Sequence, residues 1–591
     1  MPVKPVAGRA IRALVSSALL AAAGIAGGGA SCSGGRGGDE STPPEAAATS
    51  PPDARLLVVT DVDGHLEPCG CTSRPLGGVD RLVAAAERLG SDGVPTALVA
   101  AGDLWHDGGA AGADHGADPP GATGAAVPPN RAGSAPPEHA GTLPAGASPV
   151  PHWNAETLAA ALQRAGLRAV APGPADRARG KDRVDALARG ATVLGMDGGP
   201  EAPGPQVQTI ALGALTLAVV GVAPDTPDPV AAVEAALGNM DSAADRVVVL
   251  VPGGRPPAAR IARGLPGVDL VVAAGLDAPR PLPPGRFGDA HVLNAGRQGQ
   301  GILVVDLYEA RDGARPPGEP STGDAAAAHR PPLADRSPWS REVEAARLDE
   351  RIASLNARGG VEAGGVIAAK LAELEAERER LRQPAPSPGP GSFVARFVEL
   401  DPEVAEDAAT SQLLGTLAKR VNEHNRVAYA GLTPPAPPPG DAAYVGSASC
   451  ASCHQAAMDW WEGTPHGHAY ATLVERDKQF HLECVGCHVT GYGRAGGATV
   501  THLGDGNVLR NVGCESCHGP GSLHAAAPAA ASLPAETPES VCVGCHNEEH
   551  SDLFVYEGYR AMLIAPGHGL PRTGPGDSGS GDGGDDDDGD T

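Results

Sequence analysis

Four times in its last quarter the chain spells Cys-x-x-Cys-His: Cys450-Ala-Ser-Cys453-His454, Cys484-Val-Gly-Cys487-His488, Cys514-Glu-Ser-Cys517-His518 and Cys542-Val-Gly-Cys545-His546. Nothing else in the sequence constrains the fold as much. Eight of the eleven cysteines are spent in this repeat, and the motifs begin at residues 450, 484, 514 and 542. Two thiols at that spacing add to the two vinyl groups on one edge of a porphyrin, and the adjoining imidazole then reaches the iron from one face. Zinc sites also use Cys-x-x-Cys pairs, and secreted disulfide frameworks use even numbers of cysteines. Neither gives a reason for a histidine directly after every pair. The expectation is four covalently attached haem c groups, with the eight cysteines as thioether anchors and His454, His488, His518 and His546 as proximal iron ligands. Roughly thirty residues then serve each haem, so the porphyrins themselves should form most of the core of residues 443–570.

Composition agrees with a chain rich in loops. It has 82 Gly and 58 Pro in 591 residues, and aromatics are only 3%. The formal net charge of −26 excludes a nucleic-acid partner, whose phosphates need a basic face. It suits docking to periplasmic or membrane redox partners. Residues 1–31 read as an export signal: Lys4, Arg9 and Arg12 precede a short apolar and small-residue run from Leu14 to Ala30. Cys32 follows Ala30-Ser31, as in a lipoprotein cleavage box, which implies membrane contact through a lipid anchor. The alternative is a plain secretory signal with Cys32 incidental. Either way the expected location is outside the cytoplasm, periplasmic or associated with the outer membrane.

Residues 32–53 form a linker. Residues 54–308 alternate short apolar runs (Leu56–Thr60, Leu98–Ala101, Val207–Leu212, Leu215–Val222, Arg246–Val251, Val268–Ala273, His291–Asn294, Ile302–Leu307) with helical stretches at Ala155–Ala165 and Ala258–Gly264. Buried strands between helices predict an α/β layered domain. Residues 107–150 carry Gly, Ala and Pro without periodicity and read as a disordered insertion. Residues 309–339 read as a second linker. Residues 340–430 read as a helical hairpin and connector, with Leu348, Ile352, Leu355, Leu371, Leu374 and Leu381 at helical spacing. Residues 431–442 are a proline-rich hinge, and 571–591 an acidic disordered tail.

Around the haem motifs the wording is specific. Trp461-Glu-Gly-Thr-Pro-His466, Glu483-Cys-Val-Gly-Cys-His488-Val-Thr-Gly, Val512-Gly-Cys-Glu-Ser-Cys-His518-Gly-Pro-Gly-Ser-Leu-His524 and Cys542 through Phe554 together resemble the cytochrome c-554 family of tetrahaem proteins. The resemblance implies a mainly helical and irregular domain. It also implies His466, His524 and His568 as distal iron ligands, with His481 and His550 as further candidates and His468 as a neighbour.

A second resemblance lies upstream. Thr60-Asp61-Val62-Asp63-Gly64-His65-Leu66-Glu67 after one strand, Ala101-Gly102-Asp103 after the next, and Gly296-Arg-Gln-Gly-Gln-Gly near the end resemble calcineurin-like metallophosphoesterases of the 5′-nucleotidase branch. Those enzymes clamp phosphate between two metal ions on an α/β sandwich. Here Asp63 stands where that family has His, and Pro172-Gly-Pro-Ala-Asp176 stands where it has Gly-Asn-His. Val251-Pro-Gly-Gly and Ala273-Ala-Gly-Leu276 lack the later ligand histidines. Asp61, Asp63 and Asp103 are left as ligands for at most a single divalent cation. Cys69-Gly-Cys71 resembles a signature of such domains joined to haem domains; the pair could ligate a metal, form a disulfide or stay reduced.

The reading is therefore an exported electron-transfer cytochrome with a degenerate phosphoesterase-like domain. Two alternatives are an active metallophosphoesterase with an accessory haem domain, and a haem-based reductase or oxidase of a small nitrogen or sulfur species.

Overall fold

A computed structural model describes residues 51–68, 74–107, 148–196, 207–240, 244–276, 281–309, 331–357, 365–501, 507–547, 550, 551 and 553–563. The expected export signal, Cys32, Cys69, Cys71, most of the 107–150 insertion, His568 and the acidic tail lie outside the described residues.

Two sheets stack face to face. The first runs β12(Ala334–Asp335)-β13(Ser392–Glu399)-β11(Gly301–Tyr308)-β1(Ala54–Thr60)-β2(Thr96–Gly102)-β3(Leu167–Pro172)-β4(Thr192–Val193). Strands β1 to β4 pair in parallel, while β11 lies antiparallel to both β1 and β13. The second sheet runs β5(Val207–Leu212)-β6(Leu215–Gly221)-β7(Arg246–Val251)-β8(Leu270–Ala273)-β10(Ala290–Leu293)-β9(Gly285–Phe287). Its central pairs are parallel and its two edges antiparallel.

Alternation along each strand decides the layers. Leu56 and Val58 of β1 point between the sheets, where they meet Leu217, Val219, Val248 and Leu250. Leu57 and Val59 point the other way, onto Leu82 of α1 (Val79–Gly90), Leu158 of α2 (Val150–Arg164) and Val184 of α4 (Lys181–Ala188), which follows a single turn, α3 (Pro174–Arg177). On the far side, Val220, Val249 and Val271 pack against Val233 of α5 (Pro229–Gly238) and Ile261 of α6 (Arg255–Gly264). The result is a four-layer helix–sheet–sheet–helix sandwich. Both faces of its strands are covered, so they read as continuous apolar runs.

The stretch read as hairpin and connector does more than connect. Helices α7 (Pro338–Ala357) and α8 (Gly365–Arg382) pair through Leu348, Ile352, Leu371 and Leu374. Beyond them the chain re-enters the sandwich: β13 pairs with β11 along its whole length, Gly301↔Glu399 to Tyr308↔Ser392, burying Phe393 completely between the sheets. β12, inside the expected 309–339 linker, pairs with β13. Helix α9 (Ala408–Ala428) is capped by Asp407, whose side chain accepts from Thr410 N, and packs Leu414 and Leu417 on the α1/α2 face.

Among the described residues from 443 onward the α-helices are short, α10 (Ala451–Glu462), α11 (Ala469–Val474), α12 (Leu482–Val485), α13 (Cys514–His518), α14 (Ser522–Ala526), α15 (Glu539–Cys542) and α16 (Tyr556–Met562), and an isolated bridge joins Val489 and Arg510. Their shared apolar core is small, built on Tyr429, Tyr470, Val485, Val489, Tyr492, Ala498, Val500 and Leu509. Among the described residues no helix is long and apolar enough to cross a membrane.

Candidate functional site

Each haem motif sits on a helical turn. His454 N donates to Cys450 O at 2.9 Å and His546 N to Cys542 O at 2.8 Å, while Cys514 to His518 form α13. One turn places residues i, i+3 and i+4 on one face, so both thiols and the imidazole of a motif look the same way. All twelve motif residues line one cavity of about 3860 Å³. A pocket for a single small ligand is about 300–1,000 Å³, so this space fits several large groups. Thiols of different motifs also come together there: Cys450 hydrogen-bonds Cys514, and Cys487 hydrogen-bonds Cys545. That bond chiefly lowers the Cys514 thiol to about 6 and raises its partner Cys450. Cys487 is lowered to about 7 in the same way, while Cys545 is raised.

The imidazoles are oriented by their second nitrogen. Nδ1 of His488 lies 2.6 Å from Ala469 O, Nδ1 of His518 2.7 Å from Pro534 O, and Nδ1 of His524 2.7 Å from Ala531 O. A carbonyl at Nδ1 fixes the tautomer that leaves Nε2 for a metal, the usual outer-shell arrangement of ligating histidines. Nδ1 of His546 is 3.1 Å from Ser551 Oγ. His466 faces His546 with ring centroids 6.1 Å apart and planes at 58°, and Phe554 stacks on His546 at 5.0 Å. Burial lowers the pKa of both His466 and His546, which favours the neutral, metal-binding form. His481 is turned the other way, with Nε2 at 3.2 Å from Ala418 O. His550 also lines the cavity, whereas the exposed His468 does not.

These residues fit haem better than a bare ion. Among the described residues no three His, Cys, Asp or Glu side chains converge to hold a metal ion, as tetrahedral zinc would require. Thioether anchors spread round a roomy cavity, with imidazoles held at Nδ1, are the donor set a porphyrin iron needs.

Sequence reasoning passed over one residue here. Glu515, inside the third motif, is only 3% exposed. Its carboxylate accepts from Val445 N at 3.0 Å, Gly446 N at 2.7 Å and Gly521 N at 2.7 Å. It thereby ties the entry to the first motif to the third. The signal was available, since an acid between two haem cysteines has no part in attachment.

At the strand ends of the sandwich, Asp61 and Asp63 take positive φ, 45° and 55°, a conformation uncommon outside Gly and Asn that collects at functional sites. Asp61 Oδ2 accepts from Gly275 N at 2.7 Å, a backbone N–H just past the end of β8. Asp103 Oδ1 accepts from Ala175 N and Asp176 N at 2.8 and 3.1 Å. Asp63 pairs with Arg297 at 3.4 Å. Asp176, fully buried, holds Leu104 N at 2.7 Å and His106 Nδ1 at 2.7 Å. Gly102 is required: with φ +93, an added Cβ would lie 2.0 Å from Asp61 Oδ1. Burial lifts the Asp61 carboxyl to about 7 and those of Asp63 and Asp103 to about 6. Mutual repulsion adds to the rise at Asp61 and Asp103. Asp63, His65 and His106 line the same cavity as the haem motifs.

Comparison with known proteins divides along the same boundary. The family described as "Cytochrome c554 and c-prime" matches residues 449–519. Cytochrome c-554 of Nitrosomonas europaea is 38% identical over 96 residues, 14% of this chain and 40% of that protein. Upstream, the 5′-nucleotidase precursor of Thermus thermophilus superposes with a TM-score of 0.37 at 15% identity, covering 62% of this chain and 59% of the other. The Thermus thermophilus sulfate thiohydrolase SoxB gives 0.37 at 13%, covering 63% and 61%. The matched region thus spans less than two thirds of each of these relatives. The C-terminal region carries the cytochrome c-554 type of haem sequence, joined to an α/β sandwich of mixed sheets.

Proposed function

We propose that this chain is an exported, lipid-anchored electron carrier with four haem c groups, and that its α/β sandwich has lost dinuclear metal chemistry and serves as a scaffold. The observation that carries the reading is the convergence of all twelve motif side chains on a single cavity. Haem c supplies the redox couple; the chain supplies attachment, orientation and tuning of potential. Cys450/Cys453, Cys484/Cys487, Cys514/Cys517 and Cys542/Cys545 are the thioether anchors, and His454, His488, His518 and His546 the proximal ligands. The hydrogen bonds at Nδ1 of His488 and His518 hold those imidazoles with Nε2 toward the iron. His524, held at Nδ1 in the same manner, and His466, facing His546, are the distal ligands that structure and sequence both support. His568 completes the set implied by the sequence.

The scaffold reading rests on how the three strand-end acids are engaged. Asp61 and Asp103 accept backbone N–H groups, and Asp63 an arginine. Intact-mass measurement of the mature protein from a host competent in cytochrome maturation tests the first half. The expected gain is four porphyrins, and a colourless polypeptide of bare mass would end the proposal. Phosphatase assay with added manganese tests the second half. Turnover abolished by Asp61→Asn and Asp103→Asn would establish a hydrolase instead.

A further inference from the structure

The Glu67 carboxylate and the Lys478 ammonium form a close ion pair. Glu67 lies on the loop that leaves β1, and Lys478 between α11 and α12, shortly before Cys484. The Lys478 side chain is 17% exposed, and Glu483 and Cys484 lie close enough to act on its charge. Both members of the pair line the cavity that Cys484, Cys487 and His488 also line. Burial draws Lys478 below the usual lysine range, and the Glu483 carboxylate opposes that.

The segment that carries Lys478 is fastened. Lys478 N donates to Leu473 O at 2.8 Å, Phe480 N to Asn422 Oδ1 at 2.9 Å, and Asn425 Nδ2 to Phe480 O at 2.9 Å. Asn422 and Asn425 belong to α9, which packs in the sandwich core through Leu414 nearer its start, on the same buried face. These bonds fix the backbone from which the Lys478 side chain extends, and Glu67 holds its ammonium.

We propose that Lys478, held by Glu67, sets the reduction potential of the haem at Cys484, Cys487 and His488, so that the α/β sandwich tunes the second haem of the chain. This rests on the reading of that motif as a haem attachment. Reduction adds one electron and no atoms to the iron site. A fixed positive charge nearby favours the reduced form, and a carboxylate beside that charge offsets it. Partial burial strengthens both terms relative to water. Glu67 is on the same short loop as Asp63 and His65, so the carboxylate that offsets the lysine charge is supplied by the sandwich.

The test is spectropotentiometric titration of full-length, haem-loaded protein, with haem content checked by intact mass. Lys478→Met should lower one component of the titration, Glu67→Gln should raise the same component, and Lys478→Arg should restore the wild-type curve. An unmoved curve, or shifts of one sign in both variants, overturns the proposal. If Lys478→Met does not accumulate, the half-exposed Glu67→Gln decides alone: a raised component supports the assignment and an unmoved one ends it. A wild-type Cys484–Cys487 peptide without porphyrin would sink the haem reading of the motif, and the proposal with it.

Discussion

Replacing His466 with alanine should convert one haem from low spin to high spin and leave any others untouched. The magnitude follows from the spacing of two rings. Metal–imidazole bonds of about 2 Å, plus about 1.1 Å from nitrogen to ring centre, put two imidazoles on opposite faces of one iron roughly 6.2 Å apart between centroids. His466 and His546 stand 6.1 Å apart. That separation matches the spacing two imidazoles on one iron would have. The 58° between the ring planes is far from coplanar, which gives a strongly anisotropic low-spin signal. Electron paramagnetic resonance of the oxidised protein should show that signal, and His466→Ala should replace it with one equivalent of high-spin haem. Added imidazole should reverse the change. If His466→Ala retained the full wild-type low-spin intensity with all porphyrins bound, the ring-spacing argument would be wrong. So would the assignment of His466 to the fourth haem.

Other outcomes follow from the same contacts. Glu515→Gln keeps the shape but turns one acceptor into a donor facing backbone N–H groups at 2.7–3.0 Å. With hydrogen bonds to charged groups worth about 1.5–3 kcal/mol each, it should cost about 2–4 kcal/mol by denaturant unfolding. Gly102→Ala, pressing a methyl against Asp61 and Ala274 at positive φ, should cost about 3 kcal/mol or more and reduce soluble yield. Asp61, Asp63 and Asp103 have folded pKa values of about 7, 6 and 6, above the unfolded carboxylate value near about 4. The folded state then binds more protons than the unfolded one between those limits, so their contribution to stability falls as pH rises from about 4 to 7. Thermal melts across that range should flatten in Asp61→Asn.

Where covalent chemistry or unbroken periodicity dictated the structure, the sequence was readable. The four motifs could be read because thioether attachment fixes both residue type and spacing. Strands β1, β6, β7 and β11 could be read because burial on two faces leaves nearly continuous apolar runs, and the edge strand β5 by its alternation of exposed and buried residues. Strand β13 was not, although Ser392–Glu399 carries Phe393, Val394, Phe397 and Val398. Its partner β11 lies across the α7/α8 hairpin, and no local pattern announces pairing over such a separation. Helix α1 was missed because the Gly77-Gly78 before it resembles a loop; in the structure Gly78, with φ 100°, is the residue just before the helix. At the strand ends, reading Pro172 to Asp176 as a lost ligand motif hid a gain. Asp176 organises the loop of Leu104 and His106 through bonds that only tertiary structure creates.

Helix α9 shows why the two halves belong to one folding problem. Its Leu414 completes the helical layer over the sandwich, while Ala418, Asn422 and Asn425 receive the segment that leads into the second haem motif. Residues from Pro51 onward form one compact unit. Yet the haem region has only a small apolar cluster of its own, so most of what could order it is either bound porphyrin or the surface of α9. The sandwich needs no cofactor to bury its strands. It can therefore present α9 preformed, with two asparagine side chains in place to satisfy the Phe480 backbone. That arrangement holds the segment just ahead of Cys484 against α9 by hydrogen bonds that involve no thioether. On this view the α/β sandwich acts on electron transfer through the placement and potential of the second haem, without needing chemistry at its own strand ends.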